Sequence, residues 1–292
     1  MSSNAPVAEG RPRGRLSVRG RDLVWGARTY LMGIVNATPD SFSGDGEPDA
    51  AGAVARGLAM LGQGADLIDV GAESTRPGHV PIDVHEELRR LVPVVAGLRA
   101  AAPEAIVSID THKLAVFAAA HAAGGDILNS IWGLDDALLA AAAERGVPVV
   151  IMHNKRIAMY EGDVVDEVLH DLSAQAERAV RAGIAPERVV LDPGIGFGKS
   201  ADHNLALLGS LERLAALGFP TLLGTSRKST LGKLTGRPVD ARTYGTAATV
   251  ALAVAAKIDV VRVHDVAEMR DAVRVADAVV RGWRPVDWHA AP

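Results

Sequence analysis

An eightfold repeat constrains the fold of this chain more than any other feature of its sequence. From residue 30 onward, a short apolar run, a polar loop and an amphipathic stretch rich in Ala and Leu follow one another eight times. The apolar runs are four to seven residues long and show no polar–apolar alternation, which is typical of parallel strands buried on both faces. They begin near Tyr30, Asp66, Ala105, Asp126, Val147, Arg188, Phe219 and Asp259.

Eight such units in about 250 residues predict a TIM (β/α)8 barrel, an α/β fold. A doubly wound parallel sheet is the alternative, although it does not require eight evenly spaced units. Helices are predicted near 49–63, 83–101, 112–123, 135–145, 163–182, 202–216, 243–256 and 266–282. The predicted organisation is a disordered N-terminal tail over 1–15, a single barrel domain with a short N-terminal hairpin over 16–285, and a C-terminal tail over 286–292.

Charge and cysteine content exclude several classes of protein. The formal net charge is −4, so no strong positive field points to nucleic acid or an anionic membrane, although the arginine-rich tail would also suit a transit peptide or a nucleic-acid arm. The absence of cysteine excludes disulfides, thiolate zinc sites and a cysteine nucleophile, and it fits the reducing cytoplasm. No segment approaches the roughly 18 apolar residues of a membrane helix. We therefore expect a cytoplasmic protein that binds neither nucleic acid nor membranes.

Every predicted strand ends in a polar or ionisable group. In a TIM barrel, the carboxyl ends of the strands meet at one face, and this face carries the chemistry. A barrel used only as a scaffold would end several strands in glycine or apolar residues, so the pattern predicts a functional site. In chain order the groups are Asn36, Asp69 with Glu73, Asp110, Asn129, His153, Asp192, Ser226 with Lys228, and Arg262 with His264.

The strand-end residues fall into chemically distinct sets. Two buried carboxylates, an amide and an ammonium can read a planar heterocycle that carries several N–H and C=O groups; this set is Asp110, Asn129, Asp192 and Lys228. Cationic groups and hydroxyls suit an oxyanion such as a leaving pyrophosphate; this set is Arg76, Arg262 and His264 with Thr75 and Ser226. Taken singly, an Asp before Pro or Thr is also explained as a turn or cap residue.

The motif NATPDSFS offers oxygen ligands for a metal. Asn36 and Asp40 would suit a Mg²⁺ ion that keeps most of its waters. A network of Asx turns explains the same motif without a metal. The loops after the first two strands, NATPDSFSGDGEPD and ESTRPGHVP, are long for such connections and are expected to close over the site.

The segment LDPGIGFGKS nearly matches a phosphate-binding loop of the form G-x-x-x-x-G-K-[ST]. Gly198, Lys199 and Ser200 supply the second half of that pattern. The first glycine should fall at 193, which is Pro193, and Gly194 leaves the spacing one residue short. The segment is therefore either a damaged phosphate cradle or a different glycine-rich site.

Six motifs together resemble those of the dihydropteroate synthases in order, spacing and position. They are GIVNATPDSFS, DVGAESTRPG, SIDTHK, LDPGIGFGKSADHN, GTSRKS and VRVHDV, and the resemblance covers essentially all of residues 30–282. Pterin-binding barrels that transfer methyl groups share the Asp/Asn pocket but are not expected to carry TRPG, SRKS and HDV. Within this resemblance, DPGIGFGK is a strand-end turn whose Asp192 holds a pterin, and Lys199 is not a phosphate-binding lysine.

The resemblance implies a transferase of folate biosynthesis. Such enzymes condense 6-hydroxymethyl-dihydropterin pyrophosphate with p-aminobenzoate, release pyrophosphate and use no covalent nucleophile. They are homodimers that use Mg²⁺, and sulfonamides and sulfones occupy their p-aminobenzoate pocket. The implied roles are pterin binding by Asp110, Asn129, Asp192 and Lys228, pyrophosphate binding by Thr75, Arg76, Arg262 and His264, aryl-amine binding by Ser226, and Mg²⁺ binding by Asn36.

Three departures from the family pattern bear on function. Ser130 stands where the family has Asp, Asn154-Lys155-Arg156 replaces a Met and a Gly/Pro loop, and the first long loop reads SGDGEPD. Asn154 replaces an apolar methionine with an amide, and Lys155 and Arg156 add two charges. These changes predict weaker pterin binding. We therefore predict reduced or lost synthase activity with retained anion and aryl-amine binding. A fully active synthase is the alternative, and another pterin-dependent barrel transferase is a lesser one.

Overall fold

The computed structural model describes residues 14–38, 49–73, 81–285 and 288–289. In these residues, an antiparallel hairpin precedes eight parallel strands. The hairpin strands are β1 (Arg15–Val18) and β2 (Arg21–Val24). The parallel strands are β3 (Tyr30–Asn36), β4 (Leu67–Gly71), β5 (Ile106–Asp110), β6 (Ile127–Ser130), β7 (Val149–Met152), β8 (Val189–Asp192), β9 (Leu222–Leu223) and β10 (Val260–Val263).

The parallel strands pair in the order β8-β7-β6-β5-β4-β3-β10-β9. A parallel bridge between Leu191 and Thr221 joins β8 to the residue before β9, and the Leu191 amide donates to the Pro220 carbonyl oxygen at 2.9 Å. This contact brings the two ends of the sheet together, so the strands form a nearly closed ring with the helices outside. The predicted TIM barrel is confirmed.

The described helices follow the strands and lie close to the predicted segments. They are α1 (Ala50–Gln63), α2 (Val84–Ala101), α3 (Leu114–Ala122), α4 (Asp136–Glu144), α5 (Val164–Arg181), α6 (Ala201–Leu208), α7 (Leu211–Ala215), α8 (Ser229–Thr235), α9 (Thr243–Ala255) and α10 (Val266–Val280). Five begin at a side chain that accepts a hydrogen bond from the first turn, which satisfies otherwise unpaired backbone N–H groups. These caps are Asp49, Asp83, Asp135, Asp163 and Ser200. None of the described helices has the length and apolarity that a bilayer span requires.

Two details of the helix prediction are wrong. The segment predicted as one helix over 202–216 consists of α6 and α7, which are interrupted at Gly209 and Ser210. Glycine and serine are poor residues for a helix interior, so the break occurs where helix propensity is low. The short helix α8 was not predicted, because its seven residues are too few to show a helical period, and it ends at Gly236 in the left-handed conformation.

The hairpin closes the amino-terminal end of the barrel. Leu16, Leu23 and Trp25 pack against a layer of side chains from the first residues of the barrel strands. The Trp25 ring meets the Tyr30 ring edge-on at 5.9 Å, and the Trp25 indole N–H donates to the Glu187 carbonyl oxygen at 2.9 Å. This end of the barrel is therefore filled with apolar groups, and the carboxyl ends of the strands are left for polar chemistry.

Candidate active site at the carboxyl ends of the strands

The polar groups of the site lie inside the barrel because side chains alternate along each strand. An apolar layer from the strand starts faces inward, so the residues two and four positions later also face inward. On β4 this places Asp69 after Leu67, and on β10 it places Arg262 after Val260. The other members of the inward polar layers are Ser108, Asp110, Asn129 and Asp192.

An ion-paired cluster forms the centre of the site. Arg262 donates from Nε to Asp69 Oδ2 at 2.6 Å and from Nη2 to Asp110 Oδ2 at 3.0 Å. Asn129 Nδ2 donates to the same Asp69 oxygen at 3.0 Å. Asp69 is 0% exposed, and its Oδ1 has no partner among the described residues. The sequence indicates Asp69 only as a strand-end residue, whereas the structure makes it the carboxylate that holds Arg262 in place.

Burial shifts the pKa values of the groups in this cluster. Burial raises the pKa of Asp110 to about 7, and the nearby Asp69 charge adds to the shift while Arg262 opposes it. Burial likewise raises the pKa of Asp192 above its usual range. Burial lowers the pKa of Lys228 to about 7, against the attraction of Asp192. The site therefore holds one acid, Asp110, and one base, Lys228, whose pKa values lie near neutral pH, so a bound heterocycle can meet donors or acceptors as it requires.

A small cavity opens beside the cluster and contains all four residues predicted to bind a pterin. Its polar wall combines carboxylates, an amide and an ammonium, and its apolar wall comes from Ile131, Met152, Ile195 and Phe197. A flat heterocycle with apolar faces and a polar edge matches these two walls. The complete lining is Asp110, Asn129, Ile131, Met152, Asp192, Gly194, Ile195, Phe197, Gly224, Lys228 and Arg262.

Phe197 is a site residue that the sequence did not reveal. Its ring lies 3.8 Å from the Lys228 ammonium nitrogen, a cation–π contact. In the sequence it stands between two glycines, in a segment interpreted only as a turn. An aromatic residue inside a glycine-rich turn at a strand end is the signal that could have identified it, because such a turn lies on the face that carries the chemistry.

Ser226 and His264 form a second group at the mouth. The His264 backbone N–H donates to Ser226 Oγ at 3.1 Å, and the His264 ring Nδ1 lies 2.9 Å from the same oxygen. Arg227 and Asp265, the next residue of each loop, form an ion pair in which Arg227 Nε donates to Asp265 Oδ2 at 3.1 Å. This pair holds the loops after β9 and β10 together. The sequence-predicted Thr75 and Arg76 lie outside the described residues, so the anion-binding set is placed only in part.

The metal prediction is also placed only in part. Asn36 is the last residue of β3, at the same face as the cluster, whereas Asp40 lies outside the described residues. Among the residues that the structure describes, no three His, Cys, Asp or Glu side chains converge as a metal site. A single amide oxygen fits a Mg²⁺ ion that is held mainly by water and phosphate oxygens.

The departures at Ser130 and Asn154–Arg156 do not reach the cavity. Ser130 is fully buried on the face of β6 that it shares with Leu128, which packs in the core between sheet and helices. Lys155 Nζ donates to Glu167 Oε2 at 3.0 Å, and the Arg156 guanidinium stacks on the Trp132 ring at 5.0 Å. None of the four departing residues lines the cavity, and the methionine that does so is Met152. The departure in the first long loop falls mainly within 39–48, outside the described residues.

Comparison with known proteins agrees with this site. The sequence model of a family described as pterin binding enzyme matches residues 32–264. A dihydropteroate synthase from Clostridium beijerinckii is 42% identical over 270 residues, which cover 91% of this chain and 100% of the relative. A Yersinia pestis dihydropteroate synthase in a sulfonamide drug complex has a TM-score of 0.86 and 39% identity, and covers 92% of this chain and 100% of its own. The Xanthomonas albilineans dihydropteroate synthase in complex with 7,8-dihydropteroate has a TM-score of 0.81 and 41% identity, with coverage of 95% and 100%. This chain therefore belongs to the dihydropteroate synthase family of pterin-binding enzymes.

Proposed function

We propose that this protein is a working dihydropteroate synthase, which joins 6-hydroxymethyl-dihydropterin pyrophosphate to p-aminobenzoate. The observation that carries the proposal is the cavity, in which Asp110, Asn129, Asp192 and Lys228 stand together on one polar wall. A relative that shares 41% of its sequence with this chain was solved with the product of that reaction, 7,8-dihydropteroate. A fully active enzyme fits these findings better than reduced or lost activity, because Ser130 and Asn154–Arg156 do not line the cavity.

In this proposal the polar wall of the cavity forms hydrogen bonds with the polar edge of the pterin. Asp192 Oδ1 accepts the Gly194 backbone N–H at 2.7 Å, which fixes the carboxylate and leaves Oδ2 for the ligand. Asp110 and Asn129 approach from the neighbouring strands, and the ring would lie against the apolar wall that contains Met152. Hydrogen bonds between a buried carboxylate and an amidine-like edge are strong because the acceptor is charged and the surroundings have a low dielectric constant.

The proposed transfer needs charge stabilisation rather than a nucleophilic side chain. The amine nitrogen forms a bond to the exocyclic carbon, the carbon–oxygen bond to pyrophosphate breaks, and one proton is released. Arg262 uses Nε and Nη2 for its bonds to Asp69 and Asp110, and His264 lies two residues further at the mouth. We assign these two groups, with Thr75 and Arg76, to the departing pyrophosphate. Ser226 is assigned to the aryl amine.

For the metal, we propose that Asn36, with Asp40, contributes to a Mg²⁺ site shared with the pyrophosphate. When bound, the ion would neutralise charge that develops on the leaving group.

For the assembly, we propose a homodimer through α9 and α10, where Leu252, Val275 and Val279 are exposed apolar side chains. Sedimentation would then give twice the 30.4 kDa mass of one chain.

Release of pyrophosphate on mixing the two substrates with Mg²⁺ tests the proposed function. We expect turnover within about tenfold of the ~10 s⁻¹ that is typical of enzymes. A sulfonamide should compete with p-aminobenzoate and not with the pterin substrate. Sulfonamide binding without pyrophosphate release would instead support a protein that has lost catalysis.

Replacing Asn154 with methionine should leave the kinetics almost unchanged. Asn154 does not line the cavity, so the larger apolar side chain gains no contact with a pterin. We expect kcat/KM for the pterin substrate to change by less than about threefold, which corresponds to ~0.7 kcal/mol. Steady-state kinetics of wild type and N154M at saturating p-aminobenzoate measure this. A gain of tenfold or more would restore the interpretation that the departure weakens pterin binding.

A further inference from the structure

Lys199, the lysine of the segment that resembles a phosphate-binding loop, is enclosed by acceptors. Its Nζ lies 3.0 Å from the carbonyl oxygens of Gly194 and Phe197, 3.3 Å from the carbonyl oxygen of His153 and 2.9 Å from the His153 ring Nδ1. Burial lowers the pKa of His153 to about 3, so this ring is neutral and accepts the bond. Burial also lowers the pKa of the Lys199 amine to about 7, and both of its protonation states carry N–H donors. In a phosphate-binding loop the backbone N–H groups point at an anion. Here the backbone carbonyls surround a nitrogen that donates, which is the opposite polarity.

The glycines let this loop wrap closely around the ammonium. Gly194, Gly196 and Gly198 have φ values of 68°, 82° and 56°, in the region that favours glycine. A Cβ atom at Gly194 would lie 2.0 Å from the His153 carbonyl oxygen, and one at Gly198 would lie 2.1 Å from the Lys155 carbonyl oxygen. The loop therefore packs against the residues after β7, and carbonyl oxygens that converge this closely need a donor between them.

The loop that Lys199 holds forms one side of the cavity. Gly194, Ile195 and Phe197 all line it, whereas Lys199 does not. The Gly194 N–H orients the Asp192 carboxylate, and the Phe197 ring supports the Lys228 ammonium. A change in the loop would thus move the apolar wall and two polar groups of the cavity at once.

We propose that Lys199 is a positioning residue for pterin binding, which holds loop 193–198 in the shape that places Phe197 and Asp192 against the substrate. The inference rests on the proposed function, because it takes the cavity to be the pterin site. It assigns Lys199 no contact with substrate. The effect of a Lys199 variant should therefore fall on pterin affinity and should pass through the loop.

The first test compares Lys199→Met, Lys199→Arg and Lys199→Gln with a control, Lys233→Met, on the exposed surface of α8. Calorimetric titration with the pterin pyrophosphate, without p-aminobenzoate, gives pterin affinity directly. We expect K199M to weaken it by about 30-fold, because a misplacement near 1 Å at a site has effects of this order. The Michaelis constant for p-aminobenzoate should stay within about twofold, and K199R should recover part of the loss by supplying cationic donors. K233M should match wild type.

A double-mutant cycle tests whether Lys199 acts through the loop. If it does, K199M should add little to the loss that Phe197→Ala already causes, since coupled residues are not additive. Unchanged pterin affinity in K199M would overturn the inference, as would an equal loss for both substrates. If K199M does not fold, K199Q must still bind the pterin less tightly than K199R for the inference to stand. Failure of the wild type to bind a pterin would overturn the proposed function instead.

Discussion

Replacing Arg262 with methionine is expected to destabilise the protein by about 3–5 kcal/mol at neutral pH, the cost of breaking a buried ion pair from one side. Arg262 donates to both Asp69 and Asp110 inside the barrel. Without it, two carboxylates of like charge remain buried, and among the described residues Asp69 keeps only the Asn129 amide as a partner. Methionine fills a similar volume, so the decrease in the free energy of unfolding would come from the lost charge and not from a cavity.

The cost of R262M should grow as the pH rises. Burial and the Asp69 charge raise the pKa of Asp110 to about 7 although Arg262 lowers it, so losing the cation raises the folded-state pKa of Asp110 further. A carboxyl whose folded pKa exceeds its unfolded value contributes stability that is present at low pH and is lost as the pH rises through the folded pKa. The wild type already protonates Asp110 below a pKa of about 7, so the deficit of the variant grows as the pH rises above about 7. It becomes full only above the higher folded-state pKa that Asp110 has in the variant.

Urea unfolding of wild type and R262M at pH 5 and pH 8 measures this difference. The matched control is the double variant Asp69→Asn/Arg262→Met, in which one of the unpaired charges is gone. It should be more stable than R262M at pH 8, because the two changes compensate. A deficit that does not depend on pH, or a double variant that is less stable than R262M, would show that Arg262 does not act by neutralising these carboxylates.

The barrel and the position of its site could be predicted because both follow from short-range patterns. Apolar runs and loops mark the strands, and parallel strands place their carboxyl ends at one face. The ion pairs within the site do not follow from such short-range patterns. Arg262 and Asp69 are 193 residues apart, and no local pattern indicates which carboxylate an arginine will meet. The role of Asp69 therefore emerges only from the closed ring of strands.

Side-chain direction beyond the strand ends was the other property that the sequence could not provide. Within a strand, alternation decides which face a residue occupies, so Asn129 faces the cavity and Ser130 faces the helices. After a strand ends, alternation no longer applies. Lys155 and Arg156 turn to Glu167 and Trp132, neither of which lines the cavity.

Replacing Asp192 with asparagine is expected to reduce kcat/KM for the pterin substrate by about 10³-fold or more. The carboxylate is 6% exposed and lines the cavity. The charge-assisted hydrogen bond to Oδ2 is worth about 1.5–3 kcal/mol, and the amide N–H that replaces Oδ2 would face a donor of the pterin, which adds a similar cost. The sum is ~4 kcal/mol, or about 10³-fold. Asparagine keeps the shape and an oxygen to accept the Gly194 N–H, so the loss would come from charge and not from the turn.

Stability should respond to D192N in the opposite direction from activity. Burial raises the pKa of Asp192, so the folded protein disfavours the charged form that the pterin needs. Removing the charge should therefore leave the melting temperature unchanged or raise it near neutral pH, as expected where a site is built at the expense of stability. Thermal unfolding and two-substrate kinetics of wild type, D192N and a surface control, Asp202→Asn, measure both effects. A D192N protein that melts lower and loses affinity for both substrates alike would mean that Asp192 supports the fold rather than the pterin.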